Sequence, residues 1–215
     1  MTRLRSLSFR LVMILTVAVV LLPIAPAAAI GAREMQRELE DIASDVDRFW
    51  SETAAEYDMP YYPPEVVYQV GEFTSGCGDG GQYAMYCAYD ETVYLDPAML
   101  ASDNNRTGGS GISIATVSHE WGHHLTFLWL EESPDRVDYR WLNDREVRWE
   151  LLADCLAGVY MGHAWAEAPA DDGQLLAVIR DQSTIGSAVH GTGDERVVAF
   201  MSGYVEGFAG CDFVD

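Results

Sequence analysis

The chain has 215 residues, with 34 acidic against 13 basic side chains, and a formal net charge of -21. All thirteen basic residues are Arg, and Lys is absent. Such a polyanion repels phosphate backbones, which excludes nucleic acid as a partner. The carboxylates are scattered and form no D-x-D-x-D-G loop, so they read as a solvated surface and not as a calcium site.

The first segment differs from the rest. Arg3, Arg5 and Arg10 precede an apolar run from Leu11 to Leu22, Pro23 and Pro26 break it, and Ala27-Ala28-Ala29 follow. That order predicts a secretory signal peptide over residues 1–29, cut after Ala29. A retained signal anchor is the alternative, because Leu11 to Ile30 is nearly long enough to span a bilayer. A membrane is a partner only in that second case. The rest suits one domain with its own core, with no repeat and no linker.

Residues 30–60 are expected to be an N-terminal helix, and residues 61–215 the main domain. Met35, Leu39, Ile42, Val46, Phe49 and Trp50 recur at three- and four-residue spacing, which predicts a helix from Ala32 to Tyr57. Prolines break regularity after Met59. Val66 to Val70 and Thr92 to Leu95 are β-branched and read as strands, the second a candidate edge strand lining a cleft. Thr74 to Gly81 reads as a glycine-rich loop. Asp96-Pro97 opens a short helix through Leu100, and Ala101 to Gly111 reads as a polar loop. Further helices are expected over Ile112–Leu130, Trp141–His163, Gln174–Val189 and Asp194–Phe208. Many helices with few, early strands give a mostly helical α+β fold.

Cys77, Cys87, Cys155 and Cys211 are an even set, as two disulfides would require. The favoured pairing is Cys77–Cys87, closing the glycine-rich loop, with Cys155–Cys211. Loop entropy puts their worth at roughly 3 and roughly 4 kcal/mol. Signal and disulfides together place the chain outside the cytoplasm, secreted or membrane-anchored.

His119-Glu120-Trp121-Gly122-His123 carries the chemistry. Residues four apart on a helix share a face, so His119 and His123 can reach one ion. Glu120 is turned about 100° away, within reach of a water but not of a coordination place. Chance would place about 0.01 such patterns in a chain of this His and Glu content. Zinc is the expected metal, and it needs a third protein ligand. Thr126 and Trp129 stand where a metzincin has glycine and histidine, so the ligand lies elsewhere. Candidates are Glu131, Glu132, Glu146, Glu150, Asp154, His163, Glu167 and His190. Glu150 is favoured, because a carboxylate in the apolar run around Leu151 is costly to bury unless it binds a metal or a partner. Asp154, one turn on, either accepts the free N–H of a ligating His or is itself the ligand. His124 points about 100° away from His123 and reads as packing or as support behind the ligands, not as a ligand. Glu120 is the expected general base, and His190 either donates to a developing oxyanion, with Tyr83 and Tyr86 as weaker candidates, or caps the C-terminus of the preceding helix.

The chain resembles a bacterial family, the putative neutral zinc metallopeptidases. The matching blocks are Cys77, Tyr86-Cys87, Asp90 and Val93-Tyr94-Leu95-Asp96; His119-Glu120 with Gly122-His123-His124; Glu150-Leu151, Ala153-Asp154-Cys155 and Ala157-Gly158-Val159; and His190-Gly191-Thr192 with Arg196. The resemblance implies a zincin-like fold, His119, His123 and Glu150 as zinc ligands, Glu120 as base, and a peptide or protein substrate. Glu195 departs from it, standing where the resemblance leads one to expect Gln. A non-catalytic zinc-binding envelope protein of the same fold is the alternative function.

Overall fold

A computed structural model describes residues 29–131, 146–167, 172–187 and 190–211. Almost all of the expected signal segment lies outside the described residues. Among the described residues, no helix is long and apolar enough to cross a membrane.

Helix α1 (Ala32–Glu56) buries Met35, Leu39, Ile42, Val46 and Trp50, the stripe that its spacing predicts. These side chains enter the same core as Leu95, Leu100, Trp121, Leu125, Leu156 and Phe200. Five short strands follow: β1 (Glu65–Tyr68), β2 (Phe73–Ser75), β3 (Gly78–Gly81), β4 (Ala84–Cys87) and β5 (Thr92–Leu95). β1, β5 and β4 form a mixed sheet in that order, β5 parallel to β1 and antiparallel to β4. β2 and β3 make a separate antiparallel ribbon.

Two segments expected to be loops are therefore regular. The glycine-rich stretch around Cys77 is the β2–β3 ribbon, pairing through backbone groups that a glycine-rich strand still offers. Helix α2 runs Pro97–Thr107, well past Leu100. Asp96 caps it, its carboxylate accepting from the backbone N–H of Ala98 at 2.7 Å and Met99 at 3.1 Å, and Gly108 ends it in the left-handed region at φ 75°. Its polar second half stays helical because Asn104 is buried and bonded, accepting from Ser113 at 2.8 Å and contacting Met35. Tertiary burial thus overrides a sequence pattern that reads as a loop.

Helices α3 (Gly111–Glu131) and α4 (Glu146–Glu167) form the centre of the molecule, α3 buried along nearly its whole length. They cross closely because Gly122 lacks a side chain: a Cβ there would meet Ala153 Cα at 2.8 Å and Ala153 O at 2.9 Å. Helix α5 (Asp172–Thr184) precedes α6 (Gly193–Glu206), which ends in a 3-10 turn, Gly207–Cys211. Gly158 and Gly162 of α4 and Gly203 of α6 let those two helices pack backbone on backbone. The expected disulfides are both present: Cys155–Cys211 staples this α4–α6 layer, and Cys77–Cys87 ties the β2–β3 ribbon to β4. They point to an oxidising, extracytoplasmic compartment.

Candidate metal centre

The close α3–α4 crossing sets the imidazoles of α3 against the carboxylates of α4. His119 Nε2 lies 3.1 Å from His123 Nε2 and 3.2 Å from Glu150 Oε2, and His123 Nε2 lies 3.5 Å from Glu150 Oε1. Ligands about 2.0–2.1 Å from a tetrahedral zinc stand about 3.3 Å apart, so the spacing of the two nitrogens from each other and from the Glu150 carboxylate suits the ion. Two imidazole nitrogens and one carboxylate oxygen also match the donor chemistry of zinc sites that keep an open position. Of the other third-ligand candidates, His163 stacks on Phe49, away from the centre. Glu132 and the side chains of Glu131, Glu146 and Glu167 lie outside the described residues.

Asp154 is occupied otherwise. It is fully buried, and its Oδ1 meets His119 Nδ1 at 2.9 Å. Arg196 of α6 grips it with Nε to Oδ2 and Nη2 to Oδ1, each 2.7 Å, and Gln182 of α5 donates to Oδ1 at 3.2 Å. One carboxylate thus gathers α3, α4, α5 and α6 behind the metal centre. Burial alone raises the Asp154 pKa, but His119 and Arg196 outweigh it and hold the carboxyl below its ordinary value. For Glu150 too, burial is outweighed by hydrogen bonds from His119 and His123. Burial works against protonating His119, yet Asp154 and Glu150 prevail and hold its pKa up at about 10 without metal. His123 is fixed differently: its ring stacks on Trp149 with centroids 5.9 Å apart, and its buried Nδ1 has no hydrogen-bond partner among the described residues.

The sequence matches the family described as putative neutral zinc metallopeptidase over residues 24–213. The chain belongs to that family. The match takes in α1, for which the sequence blocks gave no correspondence. Among curated proteins, the uncharacterized Escherichia coli protein YpfJ is 26% identical over 194 residues, covering 77% of this chain and 66% of its own. The uncharacterized Mycobacterium tuberculosis protein Rv2575 is 28% identical over 137 residues, covering 61% of this chain and 45% of its own. The chain therefore spans only part of the length of these relatives. No solved structure matches it significantly.

The centre opens into a cavity of about 380 Å³ between α3, β4 and α5. Glu120 lines it beside the two histidines. Burial raises the Glu120 pKa above the ordinary carboxyl value, partly offset by His119 and His123 and by the backbone N–H of Tyr86. A carboxyl tuned upward is suited to trading protons near neutrality. His190 reaches the cavity from the loop before α6, its Nε2 3.8 Å from Glu150 Oε1 and its Nδ1 2.7 Å from Ser187 Oγ. Gly191, at φ 83°, makes the turn that seats this loop against Val147 and Leu151 of α4. His190 lies well past the end of α5 at Thr184 and does not cap it.

Tyr83 and Tyr86 line the cavity with their hydroxyls engaged, Tyr83 on Asp103 at 2.8 Å and Tyr86 with His124 Nδ1 at 3.0 Å. His124 also meets the Tyr62 carbonyl oxygen at 2.8 Å, so it braces β4 against the proline-rich segment. The strand beside the cavity is β4 and not β5, which is the central strand and buried at every position. β5 is thus corrected as the expected edge.

Sequence reasoning assigned no role to Arg196 or Gln182. Arg196 precedes Val197-Val198-Ala199-Phe200, and the argument that singled out Glu150, a charge in an apolar helical run, would have singled it out too. The Glu195 departure has a local explanation. Thr192 caps α6, and Glu195 completes a capping box by accepting from the Thr192 N–H at 2.8 Å. A carboxylate serves that role as well as an amide.

Proposed function

We propose that this protein is an extracytoplasmic zinc peptidase, with His119, His123 and Glu150 as ligands and Glu120 as general base. The observation that carries the reading is the grouping of the His119 and His123 Nε2 atoms, 3.1 Å apart, with the Glu150 carboxylate, whose two oxygens lie 3.2 and 3.5 Å from them, on the wall of a cavity that Glu120 also lines. A zinc ion held there would make a bound water acidic near neutral pH and polarise a substrate carbonyl.

The side chains divide the remaining work. Glu120 takes the proton of the attacking water and delivers it to the leaving amine. Asp154 accepts the Nδ1–H of His119, which fixes the tautomer that leaves Nε2 free. His190 donates a hydrogen bond to the oxyanion as it forms. β4, as the terminal strand of its sheet, offers backbone groups along which an extended peptide can lie. The zincin-like fold, the secretory signal over residues 1–29 and the division at residue 60 belong to the same proposal. The two disulfides support the exported location.

Glu120→Gln tests it. The variant is expected to hold one zinc per chain and to lose peptide hydrolysis by a factor of about a hundred or more. Hydrolysis at the wild-type rate would refute the mechanism.

A further inference from the structure

The cavity does not stop at the metal centre. It continues along α3 toward its N-terminus, past Ala115 to Ile112, roughly 10 Å from His119 at 1.5 Å per residue. The facing wall comes from α5, where Val178, Asp181 and Gln182 recur at helical spacing on one face, and from Ile185 just past its end. Helix α5 is tied down at both ends, to α4 at one and to α3 at the other. Gln182 touches Asp154 beside the metal centre, and Gln174 accepts the backbone N–H of Gly111 at 3.0 Å at the far end. Ile112, Ala115 and Val178 are buried and give this arm an apolar floor.

Asp181 is the carboxylate that lines the arm away from the ligands. Its charge is poorly matched. Arg106 approaches Asp181 Oδ1 only to 3.9 Å, from a neighbouring cleft, and is itself committed to Asp103 at 2.7 Å. Burial and the nearby Asp103 both push the Asp181 carboxyl upward, more than Arg106 and Arg196 restrain it. An apolar trough about three extended residues long, with an undercompensated carboxylate on its wall, fits a side chain with an aliphatic stem and a cationic head. The net charge of -21 favours the same substrates at long range by drawing in cationic peptides.

We propose that this arm is a specificity subsite for a Lys or Arg side chain close to the scissile bond, held by Asp181. The proposal rests on the peptidase reading above.

The zinc-loaded full chain is incubated with a proteome-derived peptide mixture, and the cleavage sites are aligned by mass spectrometry. Enrichment of Lys and Arg at one position within about three residues of the cut supports the subsite. Asp181→Arg is expected to reverse the preference toward Asp and Glu. Asp181→Asn is expected to lower the ratio of basic to neutral residues at that position about tenfold, the worth of one hydrogen bond to a charged group. If Asp181→Arg does not fold by circular dichroism, the Asn variant decides. Cleavage without basic enrichment, or enrichment unchanged in the variants, overturns the subsite and leaves the peptidase reading standing. No cleavage of any peptide by the zinc-loaded wild type overturns both.

Discussion

Replacing Arg196 by Met tests the idea that the metal centre is held from behind. Arg196 and Asp154 are both buried, and the guanidinium makes two 2.7 Å contacts to that carboxylate. Met fills much of the same volume without charge. Among the described residues Asp154 would keep only His119 and Gln182, and breaking a buried pair from one side costs about 3–5 kcal/mol. His119 offsets part of the lost charge, so the lower end, about 3 kcal/mol, is expected. For a domain of this size that is a fall in Tm of about 6–12 °C. The assay is denaturant unfolding of metal-free protein, paired with a zinc affinity titration. With Asp154 no longer pinned, His119 is less well oriented, and zinc affinity should fall about 10–100-fold. Arg196→Lys keeps the charge but loses the fork, so it should fall between the two. A loss below about 1 kcal/mol with unchanged zinc affinity would refute the reasoning.

Two further outcomes follow from the same geometry. Gly122→Ala forces a Cβ against Ala153 at 2.8 Å and pushes α3 off α4, so it should cost about 1–3 kcal/mol and weaken zinc binding, as unfolding and titration would show. Zinc affinity should also depend steeply on pH, because the metal takes His119 only as neutral imidazole. With the metal-free His119 pKa raised to about 10, binding releases its proton at all lower pH, and affinity should drop about tenfold per unit of acidification. The sign for folding is the reverse. Without metal, His119 contributes stability that is full below its unfolded value near 6.5 and is lost as pH rises through about 10. Flat zinc affinity between pH 6 and 9 would contradict the charge assignment.

The parts of the site visible in the sequence are those with local logic. His119 and His123 are four apart on one helix, and both face the centre. Glu150 stands out because an apolar helix does not carry a carboxylate without a partner, and Asp154 follows one turn later. The parts that were not visible depend on how helices cross. Gly122 reads only as a helical glycine until Ala153 lies beneath it. The Arg196–Asp154–Gln182 clamp joins residues far apart in the chain. The same holds for the fold: α1 is legible from its stripe, whereas the second half of α2 is polar and is kept helical by the burial of Asn104. The β2–β3 ribbon and β4 carry too little alternation over three or four residues to register as strands. The more strand-like sequence of β5 therefore points to the wrong strand, and β4 forms the wall of the cleft.

The coordination of zinc in the full chain is the most direct test of the central claim, by anomalous diffraction at the zinc edge or X-ray absorption. The account predicts one ion bound by His119 Nε2, His123 Nε2 and a Glu150 oxygen, each at about 2.0–2.2 Å, with the remaining position left to solvent. An ion held by Asp154, or one closed off by a fourth protein ligand, would contradict it.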